Sequence, residues 1–310
     1  MKKILLMFPG QGSQYIGMGK DLYEKFPEAK NIIDQAGEEI KNIIFNGPEE
    51  SLKNTKYAQP AIFAVSIAVF EVLKSSIDLD KFEIMTAGHS LGEYSALCAS
   101  GFFSFSDGLS MVKARGEFIQ QASQENPGCM AAILGMEKEA VINICKEASQ
   151  IGVCEPVNFN SPGQIVISGV TDALTKAVEL AQAQGATKAV MLNVSGPFHS
   201  SLMKKAADMM AQELEKYTFT NPKYPVITNC DAEITKDSSL VKEKLVKQIY
   251  NSVQWDSSVT NAAKSGVELF LEIGPQRVLT GLMRRIDRTK KALNIEDAAS
   301  LEKAIGEISK

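Results

Sequence analysis

The chain carries Gly88-His89-Ser90-Leu91-Gly92, the spacing of a nucleophile elbow, in which a sharp strand-to-helix turn lifts a serine hydroxyl out of the fold. Glycine suits both flanks because a Cβ there would meet neighbouring backbone. The helix that starts behind the serine aims free amide N–H groups at an oxyanion forming on an attacked carbonyl. A serine hydroxyl is a poor nucleophile alone and usually works beside an imidazole. Only two histidines are present, His89 and His199. His89 adjoins Ser90 in a tight turn and should point elsewhere, which leaves His199, in Ser195-Gly196-Pro197-Phe198-His199-Ser200, as the candidate base. At a helix N-terminus its ring should be kept neutral by the positive end of the helix dipole.

A third group should orient that ring. Asp107, Glu117 and Asp172 lie between Ser90 and His199, the chain order of a Ser–acid–His triad on an α/β-hydrolase scaffold, but none stands at the end of an expected strand. A backbone carbonyl can hold the ring N–H and leave no side-chain trace. Arg115 falls on the apolar side of an expected helix, Ser106–Ala122, beside the stripe Leu109, Val112, Ile119 and Ala122. An internal salt bridge or a snorkelling stem would explain it. So would recognition of a substrate carboxylate, which a planar guanidinium grips with two parallel donors.

Apolar patterning supplies the scaffold for these residues. Met1-Lys2-Lys3 followed by Ile4 to Phe8 opens like a signal peptide, but the run is short and meets Pro9-Gly10-Gln11-Gly12, so Lys3–Phe8 reads as a buried strand and Pro9–Gly19 as a loop before a helix at Lys20–Phe26. That loop fits neither a dinucleotide fingerprint nor a phosphate-binding loop. Pro60–Lys74 reads as a buried helix opened by its proline, Glu83–Ala87 as the strand into the elbow and Leu91–Ser100 as the helix out of it. Ser106 and Asp107 are cap candidates for the helix of Arg115.

From Pro127 the order becomes βαββαβ: strand Cys129–Leu134, helix Lys138–Ser149, strands Val153–Phe159 and Gln164–Val170, helix Thr171–Gln184 and strand Lys188–Val194. That is the pattern of a ferredoxin-like unit. The larger pattern resumes afterwards with helix Ser200–Lys216, strand Pro225–Asn229, helices Ser239–Tyr250 and Ser257–Ser265, strand Val267–Ile273 and helix Gln276–Ile286. The expectation is an α/β fold of two parts: a catalytic domain of residues 1–126 and 195–310, and an inserted domain of residues 127–194.

At 310 residues and 45% hydrophobic content the chain can bury a full core. A net charge of −4 gives no general pull toward nucleic acid. No apolar run approaches the roughly 20 residues that span a bilayer. Five scattered cysteines without a C-x-x-C pair argue against a disulfide framework and against a metal site, and a reducing cytoplasm fits them best.

Phe8-Pro9-Gly10-Gln11-Gly12-Ser13-Gln14, Gly88 to Glu93, Arg115-Gly116, Asn158-Phe159-Asn160-Ser161-Pro162, Pro197-Phe198-His199-Ser200 and Gln248 with Gln254-Trp255 resemble, in order and over nearly the whole chain, the malonyl-CoA:acyl-carrier-protein transacylases. The resemblance implies an α/β-hydrolase-like large domain with a mostly parallel sheet, carrying a ferredoxin-like insert. It also implies Ser90 as acylated nucleophile, His199 as general base and later acid, and the backbone N–H groups of Gln11 and Leu91 as oxyanion hole. Arg115 would then receive the malonyl carboxylate, and the main-chain carbonyl of Gln248 would orient His199. His89, Asn160 and Phe198 become pocket residues, with Phe198 resembling the malonyl-selective form of its motif. Malonyl-CoA, free CoA and holo-acyl carrier protein are the implied partners, and no cofactor is implied. Lys188, Lys204, Lys205, Arg284, Arg285 and Arg288 are candidates for docking an acidic carrier, with solvated helix faces as the plain alternative. A monomer is expected. A serine hydrolase and a non-catalytic acyl-binding module are the competing readings. The first is disfavoured by Arg115 and the unplaced acid, the second by the coexistence of Ser90 and His199.

Overall fold

The computed structural model describes residues 1–309. Ten strands run Lys3–Phe8 (β1), Glu83–Gly88 (β2), Cys129–Leu134 (β3), Cys154–Ser161 (β4), Gln164–Gly169 (β5), Lys188–Met191 (β6), Val226–Ile227 (β7), Ile234–Thr235 (β8), Leu269–Ile273 (β9) and Lys291–Ile295 (β10). β1 and β2 pair in parallel from Lys3↔Glu83 to Phe8↔Gly88, so the two segments that end in Pro9-Gly10-Gln11 and His89-Ser90 finish side by side. The unbroken apolar run of β1, buried from Ile4 to Phe8, is what a strand covered on both faces requires. The six-stranded sheet has the order β10-β9-β1-β2-β7-β8 and is parallel except at β7–β8.

The principal helix on this sheet is Thr55–Ser76, with sixteen of its 22 residues buried. It is long and apolar enough to cross a membrane by length and composition, yet 83% of its most apolar window lies inside the protein. It begins earlier than its proline suggested. Asn54 caps it, accepting the Lys56 N–H, and Pro60 stands inside the helix, where its ring forgoes the bond to the Lys56 carbonyl. The helix of Arg115 likewise starts earlier, at Phe105–Glu125, because Ser104 rather than Ser106 or Asp107 is its cap and accepts the Asp107 N–H at 3.1 Å.

β3 to β6 form a second, antiparallel sheet of order β4-β5-β3-β6, with helices Lys138–Ala148 and Thr171–Ala183 between its strands in the expected βαββαβ sequence. Ile133, Val141, Ile144, Ile165, Ile167 and Leu174 give it a core cluster of its own. β6 ends at Met191 rather than Val194. After His199 the chain makes a three-residue 3₁₀ turn, Ser201–Met203, before helix Lys204–Leu214, instead of one helix from Ser200. The second sheet is joined to the first body through backbone: Phe159 N–H donates to the Val253 carbonyl at 3.0 Å and Val253 N–H to the Val157 carbonyl at 2.8 Å.

Helices Pro27–Gln35, Glu38–Asn46 and Glu49–Lys53 were not expected from the pattern, because Gly37 and Gly47-Pro48 cut the segment into pieces too short to show a sustained period. The half-buried edge strand β10 and the closing helix Ala298–Ile308 were also missed.

The elbow leaves no room at its glycines. A Cβ on Gly88 would lie 1.8 Å from the Gly92 carbonyl oxygen, and one on Gly92 would lie 2.0 Å from the Phe8 carbonyl oxygen. Gly92→Ala is therefore expected to cost at least about 2 kcal/mol in urea unfolding. Gly281→Ala, whose Cβ meets nothing within 4 Å in helix Val278–Ile286, should be neutral or stabilising by up to about 1 kcal/mol. Equal effects would refute the packing argument.

Candidate active site

Ser90 stands between the end of β2 and helix Gly92–Ser100 with φ +52°, a left-handed conformation costly for a side-chain-bearing residue. Two buried amides hold it there. Asn229 Oδ1 accepts the Ser90 N–H at 2.7 Å while Asn229 Nδ2 donates to the Gly88 carbonyl at 2.6 Å, and Gln248 Nε2 donates to the Ser90 carbonyl at 2.7 Å.

His199, also left-handed at φ +60°, places Nε2 2.7 Å from Ser90 Oγ and Nδ1 2.7 Å from the main-chain oxygen of Gln248. A carbonyl oxygen only accepts, so Nδ1 carries the proton and Nε2 accepts from the serine hydroxyl. Burial foremost, and then the charge of Arg115, depress the imidazole pKa to about 3, against the opposing pull of the Gln248 carbonyl. The ring is thus neutral for a reason other than the expected helix dipole: the chain leaves His199 through a single 3₁₀ turn, and desolvation dominates. None of Asp107, Glu117 and Asp172 bonds to His199. Asp107 bonds Ser104, Glu117 pairs with Lys56 at 3.3 Å, and Asp172 opens helix Thr171–Ala183.

Arg115 is 2% exposed. Its Nη1 donates to Gln59 Oε1 at 2.8 Å, and its Nη2 to Gln248 Oε1 at 2.9 Å and to Ser90 Oγ at 3.2 Å. The guanidinium carbon lies 5.5 Å from the Tyr94 ring centroid, and Nε has no partner. Among the described residues no carboxylate lies within ion-pair distance of it, and a buried head group is not snorkelling. Both structural explanations for an arginine on this face are thereby removed. Burial lowers its pKa, but arginine remains charged, so the site holds a buried cation neutralised only by amide and hydroxyl oxygens.

These groups open into a cleft of about 470 Å³ between the two sheets, with Met130, Val166, Leu192, Val194 and Phe198 along its apolar wall. Gln11 and Leu91 line it, and among the described residues no acceptor meets either backbone N–H. The Gln11 side chain donates to Thr55 Oγ1 at 3.2 Å. His89 turns away from Ser90, its Nε2 2.8 Å from Asn160 Oδ1 on β4, and burial lowers its pKa.

Gln59, Asn229, the side chain of Gln248 and Glu93 take part in this network without having been singled out in the sequence. Glu93, 1% exposed, accepts from Gln248 Nε2 at 2.8 Å and from Asn229 N–H at 3.3 Å, and burial pushes its pKa up to about 8 against those donors. An acid in the first turn of an otherwise apolar helix was its one available signal.

The acyl transferase domain family matches residues 5–308. The malonyl CoA-acyl carrier protein transacylase of Bacillus subtilis is 44% identical over 310 residues, covering 98% of this chain and 97% of its own. The chain belongs to the malonyl-CoA:acyl-carrier-protein transacylase family. A transacylase of the same name from Escherichia coli K12 is 40% identical, with 98% and 99% covered. The Bartonella henselae acyl-carrier-protein S-malonyltransferase superposes with a TM-score of 0.95 at 41% identity over 100% of both chains. A malonyl-transacylase solved in complex with a type II PKS acyl-carrier protein does so with a TM-score of 0.94 at 40% identity, over 99% of this chain and 100% of that one. The protein is accordingly an acyltransferase with an α/β fold of one mostly parallel and one antiparallel sheet.

The depressed imidazole makes stability pH-dependent. Its pKa is about 3 folded against an ordinary value of 6.5, so between those values the unfolded chain binds more protons and unfolding free energy rises with pH. This single group contributes up to about 1.4 kcal/mol per pH unit, a contribution fully present above pH about 6.5 and lost on acidification. Urea unfolding at pH about 5 and about 7 should show a smaller acid loss in His199→Gln than in wild type. Equal losses would mean the ring is not desolvated.

Proposed function

We propose that the protein moves a malonyl group from malonyl-CoA to the phosphopantetheine thiol of acyl carrier protein through a malonyl ester of Ser90, supplying extender units for fatty-acid synthesis. The observation that carries this reading is the buried Arg115 guanidinium touching Ser90 Oγ with no carboxylate beside it: a cation built into an acylation site awaits an anionic acyl group. Names borne by relatives at 40–44% identity across the full chain support the same substrates.

In the first half-reaction His199 Nε2 takes the Ser90 proton as Oγ attacks the thioester carbonyl. The developing oxyanion lies between the N–H groups of Gln11 and Leu91, and the imidazolium, steadied by the Gln248 carbonyl at 2.7 Å, returns the proton to the CoA thiolate as the C–S bond breaks. In the second half-reaction the carrier thiol gives its proton to His199, attacks the ester carbonyl, and Ser90 leaves reprotonated. Two half-reactions through one acyl-serine give ping-pong kinetics, and because one thioester replaces another at little free-energy change, water is the competitor to exclude. We read the parallel body as α/β-hydrolase-like and residues 127–194 as a ferredoxin-like inserted domain, whose strand order and separate core support that division. The insert forms one wall of the cleft and carries the Asn160 that fixes His89.

For docking an acidic carrier the basic candidates remain Lys188, Lys204, Lys205, Arg284, Arg285 and Arg288, of which Lys205 pairs with Glu125 at 2.6 Å and Arg285 donates to Gln164 at 2.8 Å.

Intact mass after brief exposure to malonyl-CoA tests the reading. Wild type should hold a malonyl adduct that discharges to a carrier thiol faster than to water, and Ser90→Ala should hold none. A rapidly hydrolysed adduct would favour a hydrolase, and no adduct on wild type a binding module. Arg115→Ala should slow malonyl acylation on the order of 100-fold, equivalent to roughly 3 kcal/mol of carboxylate recognition, and slow acetyl acylation far less.

A further inference from the structure

Beneath the reacting atoms lies a buried carboxyl group with no cation of its own. Glu93 sits one turn behind Ser90 on helix Gly92–Ser100, fully inside the protein, and among the described residues it makes no ion pair. Both of its hydrogen-bond partners are donors: the Asn229 N–H, shared at 3.3 Å with each carboxylate oxygen, and Gln248 Nε2 at 2.8 Å.

The Gln248 amide is committed at both ends. Nε2 donates to Glu93 Oε2 and to the Ser90 carbonyl, while Oε1 accepts from Arg115 Nη2 at 2.9 Å. An amide has one donor end and one acceptor end. Turned over, it would aim its N–H groups at the guanidinium and its oxygen at a carboxylate and a carbonyl, setting like against like at every contact. Two acceptor groups, Glu93 and the Ser90 carbonyl, therefore decide which end of Gln248 faces Arg115. The Ser90 carbonyl belongs to the strained elbow. Glu93 is the side chain added to the same purpose.

We propose that Glu93 is a positioning residue for acyl-group selection: by holding the Gln248 side-chain amide with its oxygen toward Arg115, it keeps the guanidinium aimed at the position the malonyl carboxylate must occupy. This rests on the malonyl-transfer reading above. Glu93 touches no reacting atom. It acts through Gln248, and the Asn229 Oδ1 contact to Ser90 N–H does not involve its carboxyl group, so its loss should fall more heavily on carboxylate recognition than on acylation as such.

The interposed amide has a second effect. A carboxyl group bonded directly to Arg115 would compete with the substrate for the same donors, whereas one an amide away leaves the outer face of the guanidinium open.

The test is the single-turnover rate of Ser90 acylation by malonyl-CoA and by acetyl-CoA, read by intact mass, with the malonyl-to-acetyl ratio as the reported quantity. The ratio does not depend on the fraction of protein folded. Glu93→Leu, which removes the acceptor oxygens, should lower it by about tenfold, and Glu93→Gln, which retains one acceptor, by less. In a Gln248→Ala background neither substitution should lower it further. Should Glu93→Leu fail to fold, Glu93→Gln in the same two backgrounds gives the same reading. A ratio equal to wild type in the soluble Glu93 variants, or a loss of equal size with Gln248 already removed, overturns the proposal. Wild-type protein that takes no malonyl adduct overturns instead the functional reading on which it rests.

Discussion

The 2.7 Å contact between Ser90 Oγ and His199 Nε2 is the interaction around which the rest of the molecule is arranged. Both residues occupy left-handed backbone, a conformation that costs on the order of 1 kcal/mol or more for each. Neither would persist without the bonds that over-determine it. For Ser90 these are Asn229 and Gln248. For His199 it is the Gln248 carbonyl, so one glutamine joins the two. The parallel pairing of β1 and β2 provides the platform, and the glycines beside Ser90 allow backbone to approach within distances that no Cβ would permit.

Electrostatically the site is organised by removing water. Burial leaves His199 neutral with its lone pair on the serine, keeps the Arg115 charge unpaired by any carboxylate, and raises the Glu93 carboxyl toward neutrality. Each of these residues would be ordinary on the surface. Together in a cleft between two sheets, they form a neutral imidazole that accepts from a serine hydroxyl, a guanidinium without a carboxylate partner, and a shared network of amide hydrogen bonds.

What could be read from the sequence divides along the same line. β1, β2, β3 and the helix out of the elbow were legible because apolar runs, glycine punctuation and the strand–turn–helix pattern are local signals. Ser90, His199 and Arg115 were legible because each is a residue type that needs a reason for its position. The helices between Pro27 and Lys53 were not, since a few turns of amphipathic period between glycines look like loop. Gln59, Asn229 and the side chain of Gln248 were silent for a different reason: amides are chemically quiet, and their importance comes from a geometry assembled across long sequence separations. The neutrality of His199 was anticipated, but for the wrong cause, because desolvation cannot be seen in a motif.

The seam at Val253 bears on how such a fold can be recombined. Val253 lies in the large body, yet its N–H and C=O are taken by Val157 and Phe159 of the second sheet, and the adjacent Ser252 hydroxyl reaches the Pro156 carbonyl at 2.7 Å. The smaller sheet is thus stitched to a stretch of chain far downstream of its own borders, as well as joined covalently at its two ends. A chimera that exchanged only the contiguous segment would leave half of that stitching behind, so compatible donors are those whose backbone at the junction matches this register, whatever their loops contain.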